Sequence, residues 1–159
     1  YIEITNTDAE GRLTLADALT YAVKEEKATK LIDIATLTGA AIVALGEKVI
    51  ATLSSDDDMF AQFDAASKLA SEKIWRLPLE KEYKKMLKSE VADLKNSPGR
   101  PAGTITASLF LEEFTSGLPW VHLDIAGPSW TGKASSLCPY GGTGAGVSLL
   151  YHFFKKSSY

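Results

Sequence analysis

Asp8, Glu10 and Arg12 place two carboxylates and a guanidinium close together in the stretch Asn6-Thr7-Asp8-Ala9-Glu10-Gly11-Arg12-Leu13. Carboxylates are hard oxygen donors, so two of them at i and i+2 on a turn can share a divalent cation. An arginine two positions further on can hold an anion, or negative charge developing beside that cation. The spacing leaves a plainer account open. An Asn or Asp ahead of a helix commonly caps it, and a Glu in the first turn suits the helix dipole.

Positioning these groups requires a strand before them and a helix after them. Tyr1 to Thr5 reads as a short strand, with Ile2 and Ile4 alternating with Glu3 and Thr5. Leu15, Ala18, Leu19, Ala22 and Val23 then recur at helical spacing, up to the charged run Lys24-Glu25-Glu26-Lys27. Further along, the pattern predicts strands at 31–35, 49–53, 74–77 and 120–126, and an extended piece at 91–94. It predicts helices at 40–45, 58–72, 79–88, 102–114 and 143–154, with Ser55 to Asp58 as a capping cluster. Residues 96–101 read as a loop, and Gly127 to Pro139 as a longer one. Strand and helix alternate, and the strands are too apolar to be solvated on one face. The expected fold is therefore α/β, a three-layer sandwich with a mostly parallel central sheet and helices on both faces. Ligands in such sheets sit beyond the carboxyl ends of strands. Asp8, Glu10, Arg12, the turn Thr36 to Gly39 and the loop after Ile125 all take such positions in this reading.

Composition narrows the function classes. The chain has 159 residues, enough for one domain with a real core and hardly enough for two. It is 45% apolar with a net charge of −3, which offers no support for a nucleic-acid partner or an anionic membrane surface. Its single cysteine, Cys138, excludes an internal disulfide and fits a reducing compartment. No apolar run is long enough to span a bilayer, so no membrane partner is expected. The glycine cluster 141–146 fits neither G-x-G-x-x-G nor G-x-x-x-x-G-K-[ST], which argues against a nucleotide site. Cys138 has no nearby partner that would make it a nucleophile, and His152 and the three tryptophans read as packing residues.

The octapeptide Asn6 to Leu13 resembles the signature of the leucyl (cytosol) aminopeptidases, the M17 family of two-metal exopeptidases. Three further stretches resemble the same family. They are Thr36-Leu37-Thr38-Gly39-Ala40, the segment Arg100 to Ala107, and His122-Leu123-Asp124-Ile125-Ala126-Gly127. The similarity runs along essentially the whole chain and matches the C-terminal portion of the family's catalytic domain, here residues 1–159. It implies release of N-terminal, leucine-like amino acids from peptides by metal-activated water. Asp8 and Glu10 would be metal ligands, with Glu10 bridging two divalent cations, Zn or Mn, and Asp8 binding one. Arg12 would be the catalytic residue, holding a bicarbonate-like anion that acts as general base. Thr36, Leu37 and Gly39 would bind the substrate. His122 is expected to be structural or interfacial, Asp124 to satisfy backbone or a neighbouring subunit, and neither to be a metal ligand.

The resemblance further implies peptide substrates with a free N-terminus, a homo-oligomer (hexameric in the family) and a cytoplasmic location. The family's remaining metal ligands and its catalytic lysine lie N-terminal to this signature, and this chain has seven residues before Asp8. The chain opens directly in a strand-like segment without Met, so a fragment is expected, weakly active or inactive alone. A non-catalytic assembly or interaction module that keeps the aminopeptidase fold is the alternative. Retention of Asp8, Glu10 and Arg12 argues against it, because folding does not require all three.

Overall fold

The computed structural model describes residues 1–135 and 138–157. Thirteen helices and strands are defined in chain order. They are β1 (Ile2–Glu3), α1 (Gly11–Lys24), β2 (Leu31–Ala35), α2 (Gly39–Leu45), β3 (Ile50–Ser54), α3 (Asp57–Ala70), β4 (Ile74–Arg76), β5 (Leu94–Lys95), α4 (Gly103–Glu112), β6 (Trp120–Asp124), β7 (Trp130–Thr131), β8 (Gly141–Gly142) and α5 (Val147–Ser157). A 3₁₀ turn, Lys81–Leu87, stands where the sequence predicts a helix. The extended piece expected at 91–94 shifts to β5.

The main sheet has strand order β2-β6-β3-β4. β2 runs parallel to β6 and β3 parallel to β4, while β3 runs antiparallel to β6. The sheet is thus mostly parallel, as expected, with one reversal. The reversal follows from α2. Its seven residues rise only about 10 Å, so the chain re-enters the sheet from the end at which β2 leaves it. β1 does not join this sheet but pairs in parallel with β5. β7 and β8 form a small antiparallel pair inside the stretch expected to be loop and glycine turn. That expected loop also includes residues 136 and 137, which lie outside the described residues.

Two apolar clusters put helices on both faces. On one face Ala16 and Leu19 of α1 and Leu109 to Leu111 of α4 meet Leu31, Leu87 and Trp120. On the other, Met59, Phe63 and Ala66 of α3 and Leu149 and Phe153 of α5 cover Ile50, Val121 and Leu123. Phe63 and Phe153 stack with centroids 4.1 Å apart. The two-residue period of β6 divides its side chains: Val121 and Leu123 join the α3/α5 cluster, and Trp120 the α1/α4 cluster. His122, fully buried, lies on the α1/α4 side of the strand and finds its partner on β2. Its Nδ1 lies 2.5 Å from Asp33 Oδ1, and Trp120 Nε1 donates to Asp33 Oδ2 at 2.6 Å. The expectation that His122 is structural is met by this geometry.

Local chemistry explains the helix ends. Asp56 caps α3, accepting from Met59 N at 2.6 Å, within the cluster the sequence marks for that role. Glu72 does the same for α5 from a distance, accepting from Gly146 N at 2.7 Å and Leu149 N at 2.6 Å. At the end of α4, Glu112 pairs with Lys81 of the 3₁₀ turn and with Lys84 at 3.1 Å. Lys84 also bonds Glu113 at 2.5 Å.

Two measurements check this packing. A Cβ built on Gly127 would lie 2.2 Å from the carbonyl oxygen of Gly46, a backbone atom with no side chain to move aside. Gly127→Ala should therefore cost about 2 kcal/mol and lower Tm by about 4–8 °C, read by calorimetry. Burial opposes ionisation of Glu112, but the hydrogen bonds from Lys81 and Lys84 outweigh it and hold its carboxyl below the ordinary value. A depressed carboxyl contributes stability that is present above its unfolded pKa and lost as pH falls through the folded one. Urea titrations between pH 6 and pH 3 should show a smaller acid-side loss of stability in Glu112→Gln than in the parent chain.

Candidate metal and substrate site

The turn between β1 and α1 is built around side-chain amides. Asn6 Oδ1 accepts from Asp8 N at 2.9 Å, closing an Asx turn. The α1 helix starts at Gly11, with Glu10 at its N-cap, and Glu10 makes no side-chain capping bond. The capping account of these acids therefore fails: Asn6 is spent on its own turn, and neither carboxylate caps the helix. Asp8 and Glu10 are exposed. Their carboxylates have no hydrogen-bond or ion-pair partner among the described residues.

Asn96 holds this turn in place from the far side of the chain. It is fully buried. Its Oδ1 accepts from Thr5 N at 3.0 Å and Asn6 N at 3.3 Å, and its Nδ2 donates to Asn6 O at 2.7 Å. Its backbone oxygen accepts from Arg12 Nη1 at 2.7 Å. One residue thus fixes both the carboxylate turn and the guanidinium. Arg12 is 8% exposed, and its Nε has no partner among the described residues. Burial lowers its pKa from the ordinary value, opposed by the charge of Asp124. An arginine so displaced still carries its charge at neutral pH.

The turn after β2 is fastened by Asp124, itself fully buried. Its Oδ1 accepts from Leu37 N at 3.1 Å and Ala126 N at 3.1 Å, and Thr38 Oγ1 donates to its Oδ2 at 2.6 Å. Asp124 therefore satisfies backbone and a hydroxyl, as its burial demands. Thr38 Oγ1 also caps α2 by accepting from Ala41 N at 3.1 Å, and it lies 2.9 Å from Thr104 Oγ1 on α4. A Cβ on Gly103 would meet Ala40 Cβ at 2.9 Å, so a glycine here lets the starts of α2 and α4 approach closely.

A cavity of about 800 Å³ opens among these elements. Asp8, Arg12, Leu37 and Gly39 line it together, so four of the six residues singled out in the sequence converge. Glu10 and Thr36 do not line it, and Thr38 does. Thr36 is exposed and does not belong to the wall that Leu37 and Thr38 form. The loop after Ile125, expected near the ligand, does not contribute to the wall either; its Ala126 N–H serves Asp124 instead. The glycine cluster 141–146 is also elsewhere: Thr143 and Ala145 line a separate cavity of about 380 Å³. Asn96 was legible only as part of a loop, because a buried amide and an exposed one look alike in sequence. Arg100 and Gly103 to Ile105 complete the wall, within the stretch already marked by its glycine and threonines.

Two unpartnered carboxylates beside a buried guanidinium fit a hard or borderline divalent cation, with the positive group left for an anion. Among the described residues, no group of three or more His, Cys, Asp or Glu is placed to hold a metal.

An α/β sheet with a loop-built cavity carrying acidic and basic groups defines an α/β domain with a candidate ligand site at its strand ends. The particular class follows from comparison with known proteins. Residues 1–151 match the model of the cytosol aminopeptidase family, catalytic domain, and the chain belongs to that family. A probable cytosol aminopeptidase of Clostridium perfringens is 56% identical over 155 residues, covering 98% of this chain and 31% of that protein. One from Synechococcus is 52% identical over 158 residues, covering 99% and 32%. Among solved structures, a mutant of tomato leucine aminopeptidase superposes with a TM-score of 0.91 at 44% identity, over 98% of this chain and 30% of the other. The bottromycin maturation enzyme BotP in complex with Mn gives 0.95 at 41%, over 99% and 36%. The chain spans about a third of the length of the relatives it matches.

Removing the Asn96 side chain should show how much the turn depends on it. Asn96→Ala strands the half-buried donors at Thr5 and Asn6, and should cost about 2 kcal/mol in urea unfolding. Amide exchange at residues 5–9 should accelerate more than in α3 or α5.

Proposed function

We propose that this chain is the C-terminal portion, residues 1–159, of an aminopeptidase catalytic domain, and that it supplies the Asp8–Arg12 half of a dinuclear metal site. The observation that supports this best is the contrast within one turn. Asn6, Asn96 and Arg12 are held by hydrogen bonds, while Asp8 and Glu10 keep carboxylates that no group among the described residues uses. In this reading Asp8 would hold one cation, and Glu10, at the start of α1, would be shared by two. The set of ligands suits Zn or Mn, and a structural relative bound to Mn favours the latter. When bound, such cations polarise the scissile carbonyl and lower the pKa of an attacking water.

The chain's own residues orient the reactants. Arg12, buried and charged, would hold a bicarbonate-like anion, which would supply a general base there. Leu37 and Gly39 line the cavity and seat a peptide with a free N-terminus, with Thr36 at the outer edge of the same turn. The other metal ligands and the catalytic lysine come from outside this chain, so the isolated chain binds metal weakly and turns over little or nothing. The family resemblance supports a homo-oligomer, a hexamer, and the relatives' name supports a cytoplasmic location. No helix among the described residues is long and apolar enough to cross a membrane.

The direct test is hydrolysis of leucine p-nitroanilide by the purified chain with added Mn²⁺ or Zn²⁺, beside Asp8→Ala. The expected result is no turnover above the Asp8→Ala background, with Mn²⁺ still broadening the amide signals of Asp8 and Glu10. Turnover that disappears in Asp8→Ala would overturn the incomplete-site reading and place the missing ligands within this chain or across a subunit contact. Absence of broadening would remove the metal half-site.

A further inference from the structure

Asp8 and Glu10 are exposed, but Ala9 between them is buried. The two carboxylates are therefore spaced by a residue turned into the protein, and what holds Ala9 sets their separation. The segment has little support of its own. β1 and β5 pair over two positions, Ile2 with Leu94 and Glu3 with Lys95, and so short a ladder is marginal alone. Within the turn the local bonds are Asp8 N to Asn6 Oδ1 at 2.9 Å and Ala9 N to Asn6 O at 3.3 Å. The long-range backbone bonds of residues 5–9 all go to the side chain of Asn96. Its Oδ1 takes the N–H groups of Thr5 and Asn6, and its Nδ2 donates to Asn6 O and, at 3.4 Å, to Ala9 O. Its main chain grips both flanks of the acids. Asn96 N donates to Glu3 O at 2.9 Å, and Asn96 O accepts from Arg12 Nη1. Asn96 bonds neither carboxylate, and it does not line the cavity.

A cation gains affinity when its ligands are ordered before it arrives, because it then does not bear the entropy of arranging them. Groups that hold ligands without touching the metal can therefore set its affinity, typically by ten- to a hundredfold. We infer that Asn96 is a positioning residue for the cation site. By fixing the backbone of Ala9 it determines how tightly Asp8 and Glu10 hold a divalent cation. The inference rests on the aminopeptidase reading, which supplies the cation, and adds to it a residue that contacts neither metal nor substrate.

Mn²⁺ titration of the ¹⁵N-labelled chain tests it, in the parent, in Asn96→Ala and in Phe153→Leu. Phe153→Leu loosens the α3/α5 core on the opposite face of the sheet, so it controls for lost stability. Broadening is read on signals of folded molecules, so destabilisation by itself does not move it. The expected result is that Asp8 and Glu10 in Asn96→Ala need about tenfold more Mn²⁺ for the same broadening, while Phe153→Leu matches the parent. Without metal, backbone order parameters at residues 6–10 should fall from about 0.85 to below about 0.6 in Asn96→Ala only. Asn96→Ser, which has one polar side-chain atom for the two sides of the turn, replaces Asn96→Ala if that variant does not fold, with the same expectation. Equal Mn²⁺ affinity in parent and Asn96 variant, unchanged order parameters, or an equal loss in Phe153→Leu overturns the inference and leaves the metal half-site standing. Absence of broadening in the parent chain removes the half-site, and the role of Asn96 with it.

Discussion

Complete burial of the central strand is the constraint on which the site depends. Every residue of β6 is buried, so each polar group on it must be satisfied internally. His122 Nδ1 is answered by Asp33 one strand away, while its Nε2 has no partner among the described residues. Asp124, at the strand's carboxyl end, has no such neighbour and draws in the turn after β2 instead, through Leu37 N–H and the Thr38 hydroxyl. The wall of the cavity is thus a by-product of satisfying one buried carboxylate. Thr38 relays the same demand to α4 through Thr104.

A second buried polar residue performs the corresponding task on the other side of the cavity. Asn96 follows β5, and β5 pairs with β1, so the amide arrives beside the carboxylate turn by strand pairing. Its hydrogen bonds leave Asp8 and Glu10 outside the network. Rigid backbone and uncommitted side chains are what a ligand turn requires, since a carboxylate already used as a cap or in an ion pair must give up that partner to bind a cation. The charge on Arg12 is tolerated in its buried setting by Asn96 O and by the field of Asp124.

Much of the architecture was legible in periodicity. The α1 stripe, β2, α2, the Asp56 cap and the largely apolar β6 all follow from spacing and local chemistry, and they place helices on both faces. The misses share a cause. The 3₁₀ turn, the β7–β8 pair, the antiparallel β3 and the separation of β1 from the main sheet are decided by what each short segment meets in space. β1, β5, β7 and β8 have two residues each and carry too little pattern to announce a partner, and the direction of β3 depends on the short α2 before it.

At the site, residue types alone offered two accounts of Asp8 and Glu10, as helix caps or as free ligands. The sequence by itself determined the chemistry present: which acids, which guanidinium, and the family to which the chain belongs. Only the tertiary structure decided that the acids are unpartnered. It also decided that Leu37 and Gly39 share a cavity with Asp8 and Arg12, that Glu10 and Thr36 stand outside its wall, and that Arg100 stands within it. The physical reason is that availability belongs to the surroundings and not to the residue. Asn96, some ninety positions along the chain, holds the turn so that the nearby carboxylates do not have to.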